Sequence, residues 1–195
     1  MDFIQRQQSV LVAVDVQDAF YKEHRRDVDR AEFDSFVDRV AWVVGTAAVL
    51  GVPVVVTEED PDGNGSTFEL VRMRLPSGAA VLPKPVFGAG DNPPILAAIE
   101  ATGRSTVVLV GLETDVCVSH SALSLIARGF RVAAVSDALF SPGQAHANGI
   151  ARLRSAGVGL VSAKELFYDW TRTLDAVRTF VDQNPELADP PGFSL

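Results

Sequence analysis

The strongest constraint on the fold is the alternation of short β-branched runs with longer segments of helical period. Nearly continuous apolar runs occupy residues 9–14, 53–57, 106–110, 131–135 and 158–161, with a weaker one at 79–82. Runs with no polar alternation suit strands covered on both faces, as in a parallel sheet. Between them, residues 32–50 place Phe33, Phe36, Val37, Val40, Val43, Val44 and Ala47 at spacings of three and four, and Gly51 follows as a stop signal. Further helices are predicted over 94–101, 115–128, 143–156 and 163–182, the last with Ser162 as N-cap and Glu165 in capping-box position. The expectation is a three-layer α/β, Rossmann-like fold with a six-stranded, mostly parallel sheet in the order 3-2-1-4-5-6. One domain is expected over residues 1–183. The tail 184–195, with three prolines and a glycine, is expected to be extended, either packed on a neighbouring subunit or disordered.

Charge and cysteine usage narrow the function classes. The net charge of −8 argues against general nucleic-acid affinity, which needs a basic surface. The densest basic stretch, residues 22–30, also holds Glu23, Asp27 and Asp29 and reads as a solvated face. A single cysteine excludes an intrachain disulfide and fits a reducing compartment. The segment MDFIQRQQSV has no secretory pattern and the first apolar run is too short to span a bilayer, so a soluble, cytoplasmic protein with no membrane partner is expected.

Two strands end in polar residues that could carry chemistry. The first runs into Asp15; the fourth runs into GLETDVCVSHSAL, where a helix begins. In the expected order these strands are neighbours where the winding reverses, so Asp15 and Cys117 would face each other across the crevice in which open α/β sheets bind ligands. With Thr114 or Asp115 as N-cap, Cys117 falls in the first helical turn, where free N–H groups favour a thiolate and can hold an oxyanion. A small buried hydrophobe is the competing reading of a lone cysteine, and a turn-capping residue that of Asp15. Lys84, between Pro83 and Pro85, reads by itself as a surface residue on a stiffened backbone. His120, three residues after Cys117, is a second candidate base, less favoured than Asp15. Glu58, Glu59 and Asp60 are placed to border the pocket and disfavour anions. The DPDGNG segment lacks the closing glutamate of a calcium loop, Val71 standing in its place, and reads as a surface turn.

D-V-Q-D-A-F at 15–20, K-P-V-F-G-A at 84–89 and G-L-E-T-D-V-C-V at 111–118 resemble, in order and spacing, three signature regions of isochorismatase-like hydrolases. The resemblance runs from about residue 9 to 182 and includes S-D-A at 136–138. It implies a triad of Asp15 as base, Lys84 as stabilising cation and Cys117 as nucleophile. It also implies a cis peptide at Leu112–Glu113, an oxyanion hole of the Glu113 and Cys117 backbone N–H groups, and a pocket at Gln17, Phe20, Phe87 and Leu112. The implied activity is hydrolysis of a C–N bond in a small amide or ureido substrate through a thioester, by a homo-oligomer (dimer or tetramer). A vinyl-ether hydrolase using Asp15 without the thiol, and a non-catalytic ligand-binding or interaction module, are the alternatives. Metal-binding relatives carry histidines after the second strand; TEEDPDGNGSTFEL has none, and His24, His120 and His146 lack ligand spacing, so no metal or other cofactor is expected. Gly90 stands where relatives commonly carry an aromatic residue that walls the pocket, which predicts a roomier or differently lined site.

Overall fold

The computed structural model describes residues 2–21, 25 and 27–195. Lys22, Glu23, His24 and Arg26, part of the mixed-charge stretch, lie outside the described residues. Six strands, β1 (Ser9–Val14), β2 (Val54–Glu58), β3 (Ala80–Pro83), β4 (Thr106–Leu112), β5 (Arg131–Phe140) and β6 (Gly159–Val161), form one sheet in the order β3-β2-β1-β4-β5-β6. Every pairing is parallel. The α/β architecture and strand order expected from the sequence are those observed.

Helices cover both faces. They are α1 (Arg30–Val49), the short α2 (Pro61–Asn64) and α3 (Glu69–Arg72), α4 (Pro93–Ala101), α5 (Ser119–Ala127), α6 (Gln144–Ser155), α7 (Ala163–Thr171) and α8 (Leu174–Gln183). Strand periodicity divides the core. Leu11, Ala13, Val54, Val56, Val108 and Val110 point to one cluster with α1 and α7. Val10, Val12, Val14, Val55, Val107 and Leu109 point to a second with α4, α5 and α6. Burying a valine or leucine side chain is worth roughly 1.5–3 kcal/mol, so uninterrupted apolar strands are what this two-sided packing selects.

The expected helix over 163–182 is two helices. The Ser162–Glu165 capping box starts α7, but Arg172 turns left-handed (φ 69°) and the Thr173 side chain accepts the Ala176 N–H, opening α8. Two amphipathic stretches of similar period concealed the break. The tail packs on its own chain: Trp42 Nε1 donates to the Leu187 carbonyl at 2.8 Å, and the Phe193 ring meets Trp42 edge-on at 5.1 Å. Among the described residues no helix is long and apolar enough to cross a membrane.

Candidate active site

The site lies beyond the carboxyl ends of β1, β2 and β4, where the winding reverses. Asp15 leaves β1 in the left-handed region (φ 52°), which aspartate tolerates better than a β-branched residue. Its N–H donates to the Thr57 carbonyl at 3.0 Å, and the Thr57 hydroxyl donates to Oδ1 at 2.7 Å. Lys84 follows β3, its N–H donating to the Glu58 carbonyl at 2.7 Å. The Lys84 side chain is fully buried rather than on the surface, with Nζ 2.9 Å from Asp15 Oδ2. The same ammonium donates to the carbonyls of Val86 at 3.0 Å and Phe87 at 3.3 Å, so a buried charge is both paired and hydrogen-bonded.

The nucleophile turn differs from the helix expected over 115–128. The Leu112–Glu113 peptide is cis, residues Thr114–Val118 form a π-helical turn, and α5 starts only at Ser119. Neither expected N-cap caps: the Thr114 hydroxyl meets His146 Nδ1 at 3.0 Å, and Asp115 Oδ1 accepts from the Ser141 hydroxyl at 2.7 Å. Both side chains instead tie the turn to the residue that follows β5 and to α6. Close approach of the strands needs Gly111: at φ 120°, a Cβ there would lie 2.1 Å from the Val14 carbonyl oxygen.

Cys117 is almost fully buried, and its Sγ lies within 4.8 Å of both an Asp15 and a Glu59 carboxylate oxygen. The thiol donates to Glu59 Oε2 at 3.4 Å. Burial, reinforced by the Asp15 carboxylate, pushes the thiol pKa up against the opposing pull of Lys84. Burial thus works against the thiolate that a helix N-terminus would favour, so attack needs a base to take the thiol proton. Burial also raises Asp15 above the ordinary 3.8, despite Lys84 and the Thr57 hydroxyl, which strengthens it as a base. Desolvation presses Lys84 down, but Asp15, Cys117 and Glu59 outweigh it and hold the ammonium charged.

Gln17 and Leu112, expected in the pocket, are fully buried, as Asp15 and Lys84 are. Gln17 instead clamps a loop, accepting the Glu59 N–H at 2.7 Å and donating to the carbonyls of Glu59 at 3.0 Å and Gly65 at 2.7 Å. Gly90 does not enlarge the site: a Cβ there would lie 2.8 Å from Ser124 backbone carbon, so the position abuts α5 and has no room for any wall. Phe20 is half-buried beside Tyr21, and Phe87 is exposed with its ring 5.7 Å from that of His120.

Of the acidic loop, Glu58 is structural, its Oε1 accepting from the Thr67 N–H and hydroxyl at 2.7 Å each. Glu59, by contrast, belongs to the site. The sequence reading placed the whole acidic loop at the pocket border; of its residues, Glu59 is the one that reaches the sulfur. Asp15, Glu59 and Cys117 form a donor set that could hold a metal among the described residues, but Lys84 already supplies a positive charge at Asp15.

Residues 9–165 match the isochorismatase domain family model. Isochorismatase domain-containing protein 1 of Danio rerio is 44% identical over 95 residues, 49% of this chain and 33% of that protein, so the match spans about a third of that relative's length. Escherichia coli YcaC, named a probable hydrolase, is 30% identical over 155 residues, covering 76% of this chain and 74% of YcaC. The solved YcaC structure, described as an octameric hydrolase of unknown specificity, superposes with a TM-score of 0.81 at 24% identity, covering 96% and 93% of the two chains. The MAR1 ribonuclease of Caenorhabditis elegans superposes at 0.83 with 23% identity, covering 100% and 98%. N-carbamoylsarcosine amidase of Thermoplasma acidophilum does so at 0.66 with 24% identity, covering 80% and 96%. At these identities the structural likeness is one of fold. With more than three-quarters of its length inside the family model, the chain belongs to the isochorismatase domain family.

Proposed function

We propose that this chain is a cysteine-dependent hydrolase that cleaves the C–N bond of a small amide or ureido substrate through a thioester. The observation that carries the reading is the convergence of Asp15, Lys84 and Cys117, from three distant segments, into one buried cluster with a 2.9 Å ion pair beside the sulfur. The amidase among the fold relatives supports the reaction class.

In this reading Asp15 takes the thiol proton as Sγ bonds to the substrate carbonyl carbon. Lys84 remains charged and balances the negative charge shared by carboxylate and sulfur. The backbone N–H groups of Glu113 and Cys117 receive the developing oxyanion. The C–N bond breaks as Asp15 passes the proton to the leaving nitrogen, releasing ammonia or an amine. Water, deprotonated by Asp15, then hydrolyses the thioester and restores the thiol. Phe20 and Phe87 wall the pocket. The working form is proposed to be a cytoplasmic homo-oligomer, a dimer or tetramer; the octameric state described for YcaC supports assembly.

The test is ammonia release from a panel of small amides and ureido compounds, comparing the native chain with Cys117→Ala. Turnover that disappears in the variant is the expected result. Turnover that survives would replace the thioester with water activated by Asp15, the route open to a vinyl-ether hydrolase. Silence from both proteins would favour a ligand-binding module.

A further inference from the structure

We infer that Glu59 is a specificity-determining residue, a second carboxylate at the sulfur that selects substrates presenting an N–H donor or positive charge beside the scissile carbon and rejects those carrying a carboxylate there. The inference deepens the hydrolase reading and rests on it for the identity of the reacting carbon.

Glu59 is the first residue after β2, and its main chain is held from two sides. Its N–H donates to Gln17 Oε1 at 2.7 Å, while its carbonyl accepts from Gln17 Nε2 at 3.0 Å and Asn64 Nδ2 at 3.0 Å. With the backbone pinned, the side chain reaches the nucleophile, Oε2 lying 3.4 Å from Cys117 Sγ. The two carboxylates beside the sulfur have different surroundings. Asp15 is neutralised by Lys84 and holds the Thr57 hydroxyl. Glu59 has no ion pair among the described residues and is half-buried.

The charges then decide the ligand class. With a neutral thiol, Asp15, Glu59 and Lys84 leave one net negative charge around Sγ, and ionising the thiol makes it two. A substrate carboxylate within about 6 Å of Glu59 would be disfavoured roughly 10- to 100-fold at the effective dielectric of such sites. An amide or ureido NH2, or an amidinium-type nitrogen, would instead displace the thiol from Glu59 and donate to it. The same oxygen would hold the departing nitrogen. As the C–N bond breaks and the proton delivered through Asp15 arrives there, ammonia forms, and one further proton from water makes it an ammonium paired with Glu59.

Because Cys117 is the only cysteine, intact-protein mass can follow its modification by two thiosulfonates differing in charge: 2-aminoethyl (cationic) and 2-sulfonatoethyl (anionic) methanethiosulfonate. Rates are divided by those of 2-mercaptoethanol with each reagent. The native chain should favour the cation at least 10-fold. Glu59→Gln should reduce that ratio about 10-fold, and Glu59→Asp, which keeps the charge, should retain most of it. Any change in thiol ionisation alters both reagents alike and cancels in the ratio, so a merely structural role would not move it. A ratio equal in native and Glu59→Gln proteins of matching thermal midpoint, or a native Cys117 that reacts with neither reagent, would overturn the inference. Ammonia release separates the two readings. Amide turnover with a charge ratio indifferent to Glu59 keeps the hydrolase and removes this role; a Glu59-dependent ratio without turnover of any substrate keeps the charge selection and removes the hydrolase.

Discussion

The middle and the mouth of the same two strands follow different rules. At the centre of the sheet, Val12 of β1 sits in register with Leu109 of β4, surrounded by apolar side chains from α4, α5 and α6. Many hydrophobic residues of similar volume would serve there, because burial is non-directional. A few residues farther on, Val14 pairs with Gly111, and the chains continue into Asp15 and the cis Leu112–Glu113 peptide. There each residue is constrained through a single atom: a carboxylate oxygen on an ammonium, a missing Cβ, a sulfur beside two carboxylates. The interior specifies a class of residue, whereas the mouth specifies individual ones.

The sharpest way to break this contrast is at Asp15. Asp15→Asn should lower kcat/KM about 10²- to 10⁴-fold, the range for loss of a general base, measured by steady-state ammonia release. A variant that keeps native kcat/KM would transfer the proton role elsewhere. Lys84→Met should cost about 3–5 kcal/mol in urea unfolding, since it leaves the Asp15 carboxylate buried without its partner. Replacing both together, Asp15→Leu with Lys84→Met, should recover much of that stability while activity stays lost. An additive stability loss would mean that the pair was not the coupled unit its geometry describes.

Leu109→Ala should cost about 2–5 kcal/mol in the same unfolding assay yet leave kcat/KM within about threefold, because the cavity lies below the mouth. A collapse of activity comparable to Asp15→Asn would erase the distinction between the two regions. The smallest effect concerns pH near neutrality. Asp15 acts as a base only when unprotonated, and its pKa is raised above 3.8, so the acid limb of kcat/KM should have its midpoint above that value, rising with pH. Cys117 is pushed up from 9.0, so no thiol titration should appear below pH 9 and the limb seen below that pH should belong to Asp15. A midpoint between 7 and 9 in the alkylation rate of Cys117 would show that desolvation had been outweighed at the sulfur.

The mouth was legible in sequence where a strand's end coincides with a motif. Asp15 stands out because a charge follows an apolar run with no packing reason to be there, and Cys117 because it falls where the helix after the fourth strand begins, opposite that charge. Lys84 read as a surface residue by itself, since lysine is rarely fully buried unless paired, and the pairing carboxylate lies 69 residues away. Gln17 shows the converse: its place in a signature segment suggested a ligand contact, while its amide is spent on the Glu59 loop. Gly90 suggested space, which the approach of α5 removes.

What the sequence by itself determined is what local period and burial encode. Six apolar runs separated by helical segments leave few ways to cover both faces of every strand, and right-handed crossovers then favour a doubly wound sheet, a class with more than one strand order. Tertiary structure alone decided the break between α7 and α8, the π-helical turn at Cys117, the burial that raises its thiol pKa and the 3.4 Å contact of Glu59 with the sulfur. Each of these depends on groups remote in the chain arriving within a few ångströms. Desolvation and Coulomb energies vary steeply over that distance, and hydrophobic periodicity carries no record of it.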